Sequence, residues 1–226
     1  FPDEIIVLLD KLAKKVFYVF YDKNQLIQKR VLPKWLETSD CRLILSKNCR
    51  NTVSISTTSS VPVKISFKEN IRLIKGEKPF IYCAEDPDQI IEKVFNEVSR
   101  LVDEEKLSYH QIVVLTAKKE GTSILSNNDH MRVLNEKGVL FTTARKFKGL
   151  ESDVVFIVDL DTDFFKQEQA KRILYVASSS ARNLLYLFFN ENDKNSNEIA
   201  KLFDDVPNTR KGSYAIARVL KGNVIN

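Results

Sequence analysis

Histidine is scarce in this chain: the 226 residues hold two, His110 and His130, and neither lies beside a carboxylate cluster. That argues against triad or metal chemistry carried by the chain itself. The three cysteines, Cys41, Cys49 and Cys83, are odd in number and never stand at C-x-x-C spacing. A disulfide framework and a cysteine zinc site are both unsupported, and a reducing, cytoplasmic setting is expected. Long apolar runs are missing too; stretches such as Val154–Leu160 fall far short of the roughly 20 residues that span a bilayer. None of the six glycines opens the G-x-x-x-x-G-K-[ST] pattern that cradles phosphates. No secretory leader pattern opens the chain, and its start at Phe1, inside an amphipathic segment, suggests a piece of a longer protein.

What the chain does have is a net charge of +5, which leans toward a polyanionic partner without identifying one. It also has a recurring alternation of short apolar runs with helical patterns, the signature of an α/β domain with a largely parallel sheet. Strands are expected at Val16–Tyr21, Arg42–Leu45, Phe80–Ala84, Gln111–Thr116, Val139–Thr142, Asp153–Val158 and Asn183–Phe189. These runs are apolar on both faces, as strands covered by helices must be. The helix over Asp86–Asp103 carries Ile90, Ile91, Val94, Phe95, Val98 and Leu101 at helical spacing. A second helix is expected over Asp3–Lys14, with Pro2 near its first turn. The Ser/Thr/Val-rich stretch Thr52–Pro62 fits no element clearly. Asn190–Asn197 reads as a polar loop, and the tail after Asp205, with Pro207, Gly212 and Gly222, is expected to pack loosely.

The segment most suggestive of chemistry is Thr142-Thr143-Ala144-Arg145-Lys146-Phe147-Lys148-Gly149-Leu150-Glu151-Ser152-Asp153, between two apolar strands. A strand-to-loop junction ending in Lys-Gly can offer backbone N–H groups and a cation to a phosphate. Arg145, Lys146 and Lys148 place three cations within four residues, enough for one or two nucleic-acid phosphates, and Glu151 can accept hydrogen bonds from ribose hydroxyls. Charge alone favours a solvated basic turn, since charge runs are usually solvated faces.

T-x-x-x-x-K-G-L-E before an apolar strand resembles motif V of the UvrD/Rep-like superfamily I DNA helicases, and three further segments follow that family's order. Val19–Gln25 resembles motif III (an apolar strand into G-D-x-x-Q), Leu45–Asn51 resembles motif IV (L-x-x-N-Y-R-S), and Leu174–Arg182 resembles motif VI (Y-V-A-x-[ST]-R-A-[RK]). The resemblance covers roughly Val16 to Phe189. It implies a RecA-like, P-loop-NTPase-type three-layer domain: the second motor domain of a helicase, without the P-loop. Residues 1–30 would close the first RecA-like domain, 31–205 would form the second, and 206–226 a C-terminal extension.

By the same resemblance Gln25 and Arg50 would act in catalysis at the γ-phosphate, and Asp22, Gly149, Glu151 and Arg182 would bind ATP. Asn48, Thr143, Arg145 and Lys148 would lie along single-stranded or partly duplex DNA. The implied cofactors are ATP and Mg2+, with the Mg2+ ligands outside this chain, and the implied partners are DNA and the N-terminal RecA-like domain. The chain departs from the pattern at Tyr21 for the motif III glycine, Cys49 for the adenine-stacking aromatic, Arg145 for the motif V histidine and Ser180 for the motif VI arginine. The last removes a cation that normally offsets charge on the transferring phosphoryl group. A degenerate helicase fold serving as a DNA-binding or scaffolding module is therefore the alternative, and an unrelated Rossmann-like small-molecule domain is a more distant one. On either helicase reading, the chain by itself is expected not to hydrolyse ATP.

Overall fold

The computed structural model describes residues 3–14, 18–19, 47–65, 69–70, 74–204 and 210–225. The strands expected at Val16–Tyr21 and Arg42–Leu45 fall largely outside these, and Asp22 and Gln25 fall outside them altogether. Helix α1 (Asp3–Leu12) occupies the expected first helix, two residues short at its end. A small parallel ladder joins β1 (Lys47–Asn48) to β2 (Glu69–Asn70).

The apolar runs become β3 (Phe80–Ala84), β4 (Ile112–Thr116), β5 (Leu140–Thr143), β6 (Ser152–Leu160) and β7 (Ala181–Asn190), with a short β8 (Asn223–Val224). They form one six-stranded sheet in the order β5-β4-β6-β7-β3-β8, and every pairing is parallel. Parallel strands need covering on both faces, and this composition supplies it. Every residue from Val154 to Leu160 is buried. Alternate side chains enter opposite cores: Val155 and Ile157 of β6 with Leu185, Leu187 and Phe189 of β7 on one side, Phe156 and Val158 with Tyr186 and Phe188 on the other.

The second face is covered by α3 (Pro87–Asp103) and α4 (Asp129–Glu136). The Asp86 side chain caps α3 by accepting from the Asp88 N–H, Pro87 opens the helix, and Ile90, Ile91, Val94, Val98 and Leu101 are buried as the spacing predicts. On the first face lie α2 (Val53–Ser60), α5 (Thr162–Phe165), α6 (Ala170–Ser178), α7 (Asp193–Lys201) and α8 (Ser213–Leu220). The result is a three-layer α/β domain.

Three sequence expectations need correction or completion. The unplaced Thr52–Pro62 stretch contains α2 and a following 3-10 turn. Hydroxyls that would compete with helix instead turn back onto it: Thr57 Oγ1 donates to the Val53 carbonyl at 2.8 Å and Ser60 Oγ to that of Thr57 at 2.8 Å. The supposed loop Asn190–Asn197 ends β7 and begins α7, whose start is capped by Asn192 Oδ1 accepting from the Asn195 N–H at 2.9 Å. It looked polar because only Ser196, Ile199 and Ala200 of the helix are buried. The tail expected to pack loosely does not, at least over residues 210–225. Ala215, Ile216 and Leu220 are fully buried, Thr58 Oγ1 donates to the Leu220 carbonyl at 2.6 Å, and β8 pairs with β3. Gly222 permits that return, since a Cβ there would stand 2.6 Å from the Pro79 carbonyl oxygen.

The aromatic stack on the second face gives a direct test of how far the sheet depends on its central pair. Phe156 is fully buried and stacks on Tyr186 with centroids 4.4 Å apart. Phe156→Ala should destabilise the domain by roughly 3–5 kcal/mol in urea unfolding; a loss below ~1 kcal/mol would show that α3 closes the gap.

Candidate functional site

The segments bearing Arg50, Glu151 and Arg182 converge where β4, β6 and β7 begin, at the amino edge of the sheet. Arg50 follows β1, Glu151 immediately precedes β6, Asp153 is the second residue of β6, and Arg182 is the second residue of β7. An open cleft of ≈ 530 Å³ is lined by Cys49, Arg50, Glu151, Asp153, Arg182 and Asn183.

Two guanidinium groups share one carboxylate in this cleft. Arg50 Nε lies 2.9 Å from Glu151 Oε2, and Arg182 Nη1 lies 3.5 Å from Glu151 Oε1. All three side chains are about two-fifths exposed, so these pairs contribute little stability and exchange partners cheaply. Asp153 is different, with a side chain only 16% exposed. Its Oδ1 accepts from Arg182 Nε at 3.0 Å, from Arg182 Nη2 at 2.7 Å and from Asn183 Nδ2 at 2.9 Å. Its Oδ2 accepts from Gln111 Nε2 at 3.0 Å. The hydrogen bonds and charge of Asp153 raise the Arg182 pKa further, so the guanidinium is held permanently charged.

A register shift explains why one carboxylate can meet two neighbours. Ser152 pairs with Ala181 but Val154 pairs with Leu184, so β7 carries one extra residue at this point. Asp153 therefore faces both Arg182 and Asn183, the two-against-one geometry of a bulge.

The segment bearing Arg50 is shaped by amides. Asn48 Oδ1 accepts from the Arg50 and Asn51 N–H groups at 3.0 and 3.1 Å, while its Nδ2 donates to Asn51 Oδ1 at 2.9 Å and Ser56 Oγ at 3.2 Å. Asn48 thus spends two acceptor and two donor positions inside this segment. Asn51, only 2% exposed, crosses to the turn before β7: Nδ2 donates to the Ser179 carbonyl at 2.9 Å and the Ala181 carbonyl at 2.5 Å. The Thr52 N–H adds a bond to the Arg182 carbonyl at 3.3 Å. Arg50 and Arg182, 132 positions apart in sequence, are placed by backbone contacts between their own segments.

Ser180 does not face the cleft's cations. It is 4% exposed, and its hydroxyl donates to the Val176 carbonyl of α6 at 2.9 Å. The Thr143-to-Glu151 segment spans the sheet. Thr143 ends β5 at the carboxy edge, buried, its Oγ1 accepting from the Lys146 N–H at 3.1 Å. Arg145 reaches the Ala117 carbonyl and Gln167 at 3.5 and 3.4 Å beyond the carboxy ends of β4 and β6. Arg145 and Lys148 are exposed. Gly149 has φ +87°, a conformation that L residues rarely adopt, and lets the chain turn toward Glu151.

The structure therefore gathers Asn48, Arg50, Glu151 and Arg182 at the amino edge and sets Thr143 and Arg145 at the opposite one. Asp153, Asn51, Asn183 and Gln111 were not singled out by motif. The one sequence signal for Asp153 is its place two residues after Glu151, where a strand returns side chains to the same face.

Residues 138–188 match the family model of the UvrD-like helicase C-terminal domain, a span that includes Thr143, Arg145, Lys148, Gly149, Glu151, Asp153, Ser180 and Arg182. No curated protein matches the chain at a significant level. Among solved structures, the C-terminal domain of a possible DNA helicase from Lactobacillus plantarum WCFS1 is similar with a TM-score of 0.47 and 16% identity, over 62% of this chain and 86% of that one.

The buried amide bridge between the two arginine-bearing segments should be measurable. Asn51→Ala takes a donor from two carbonyls and an acceptor from the Asn48 amide, and should cost about 2–3 kcal/mol of stability. A change under ~0.5 kcal/mol would mean that water satisfies these groups as well as Asn51 does.

Proposed function

We propose that this chain is the C-terminal motor domain of an ATP-dependent DNA helicase or translocase, forming one wall of the ATP cleft and part of a single-stranded DNA track. The observation that carries the reading is the convergence of Arg50 and Arg182 on Glu151, the last two of which lie in the segment that matches the UvrD-like helicase C-terminal domain. Guanidinium groups are always charged and form paired hydrogen bonds to phosphate oxygens. A triphosphate entering this cleft would take Arg50 away from an exposed carboxylate that holds it weakly. Glu151, released, would turn to the ribose hydroxyls, with Gly149 setting the backbone that presents it.

Among the described residues, no three metal-binding side chains gather. The two carboxylates of the cleft are taken up by arginines, a poor donor set for Mg2+. The metal that serves ATP hydrolysis would be held by the N-terminal RecA-like domain, together with the phosphate-cradling loop. Gln25 and Asp22 would complete the sensing of the γ-phosphate.

Arg145 at the opposite edge and the exposed Lys148 further along the same segment would meet DNA phosphates, and Thr143 would shape the turn. Asn48 would act indirectly, by shaping the Arg50 segment, rather than by touching DNA. The Thr143–Glu151 segment runs between the two edges, so closure around nucleotide would shift the DNA contacts without a separate relay. Residues 1–30 would belong to the first motor domain, 31–205 to the second, and 206–226 to an extension of it.

In the full-length protein, Arg50→Ala should lower DNA-stimulated ATP turnover by about 100-fold. The double variant Arg145→Glu, Lys148→Glu should weaken single-stranded DNA binding across sequences alike and flatten its salt dependence. Unaltered turnover in the first variant would sink the ATP-cleft reading. DNA binding without any turnover in the native protein would favour a scaffolding module instead.

A further inference from the structure

We infer that Arg182 is the cation this domain offers to the terminal phosphates of a nucleotide, in place of any side chain at position 180, and that Asp153 is the residue that aims it. The inference rests on the nucleotide-facing reading of the cleft and deepens it.

Ser180 is turned away, buried and bonded back to its own helix. Two residues on, Arg182 lines the cleft with Arg50. The bulge in β7 is what brings it there, because the extra residue sets Arg182 and Asn183 together against Asp153.

The two carboxylates around Arg182 are unequal. Asp153 grips one edge of the guanidinium through Nε and Nη2 at 3.0 and 2.7 Å. It is itself fixed by Gln111 and Asn183, and it is the less exposed of the two. Glu151 meets the Nη1 side at 3.5 Å, near the limit of a hydrogen bond, and is 41% exposed. An incoming phosphate oxygen would therefore displace Glu151 while Asp153 keeps the plane and tilt of the guanidinium. Holding a long side chain before the ligand arrives removes much of the entropy that ordering it would cost.

The probe is inorganic tripolyphosphate, titrated at low ionic strength into the isotopically labelled chain while the arginine Nε–Hε resonances are followed. Those of Arg50 and Arg182 should move together on one binding curve. Arg182→Ala should weaken binding by roughly tenfold or more, as loss of a charged hydrogen-bond donor predicts, and Ser180→Ala should leave it unchanged. Asp153→Asn should lower the melting temperature while leaving the chain folded, weaken tripolyphosphate binding and shrink the Arg182 response, with partial recovery of binding in Asp153→Glu. An Arg50 resonance that moves while Arg182 stays still would overturn the inference and leave the nucleotide-facing cleft standing. If neither moves in the native chain, both fall. An undiminished Arg182 response in Asp153→Asn would remove Asp153 from the aiming role, and an unfolded variant leaves the native titration to decide the role of Arg182.

Discussion

One carboxylate, Asp153, organises the amino edge of this sheet, and it can do so only because of an irregularity in the central strand pair. Regular pairing of β6 with β7 would set Asp153 against one residue of its neighbour. The extra residue in β7 sets it against two, Arg182 and Asn183. Gln111, just before β4, takes its other oxygen. Three adjacent strands are thus tied together at their starts through a single partly buried side chain with ordinary hydrogen-bond lengths. The arginine in that knot is kept charged and oriented, while the neighbouring Arg50–Glu151 pair is left exposed and exchangeable.

The second constraint is the bridge from the Arg50 segment to the turn before β7. Asn51 is buried and donates to the Ser179 and Ala181 carbonyls at the helix-to-strand transition. That bridge converts a distance of more than a hundred residues into a fixed spatial relation between two arginines. The Thr143–Glu151 segment adds a third relation, between opposite edges of the sheet. Parallel topology makes it possible: β5 and β6 both pair with β4, so the chain leaving the carboxy end of one must travel back to the amino end of the other. Here it does so through a short turn with Phe147 buried beneath it, and the exposed cations Arg145 and Lys148 ride on that turn.

Much of the architecture was readable beforehand because its signals are local. Val154–Val158 is apolar regardless of its neighbours, and the α3 stripe follows helical spacing. Where reading failed, the decisive contacts were distant. Nothing within Thr52–Pro62 reveals that Ile55 is covered by core residues far along the chain. Asn190–Asn197 looks like a loop because α7 buries a narrow face. The tail after Asp205 looks dispensable until Gly222 lets the chain return beside β3.

For the site, the residues alone established that a Lys-Gly turn, a following Glu151 and two arginines in separate motifs stand in the order a helicase motor domain would need. They also established that position 180 carries no cation. Which arginine stands at the cleft, and what holds it, was decided by tertiary structure alone. A strand register and its bulge depend on how two strands pack between two helical layers, and that packing is a sum over contacts no local window contains. Asp153 reads in sequence as the polar first step of an apolar strand; only the β6–β7 pairing makes it the partner of Arg182.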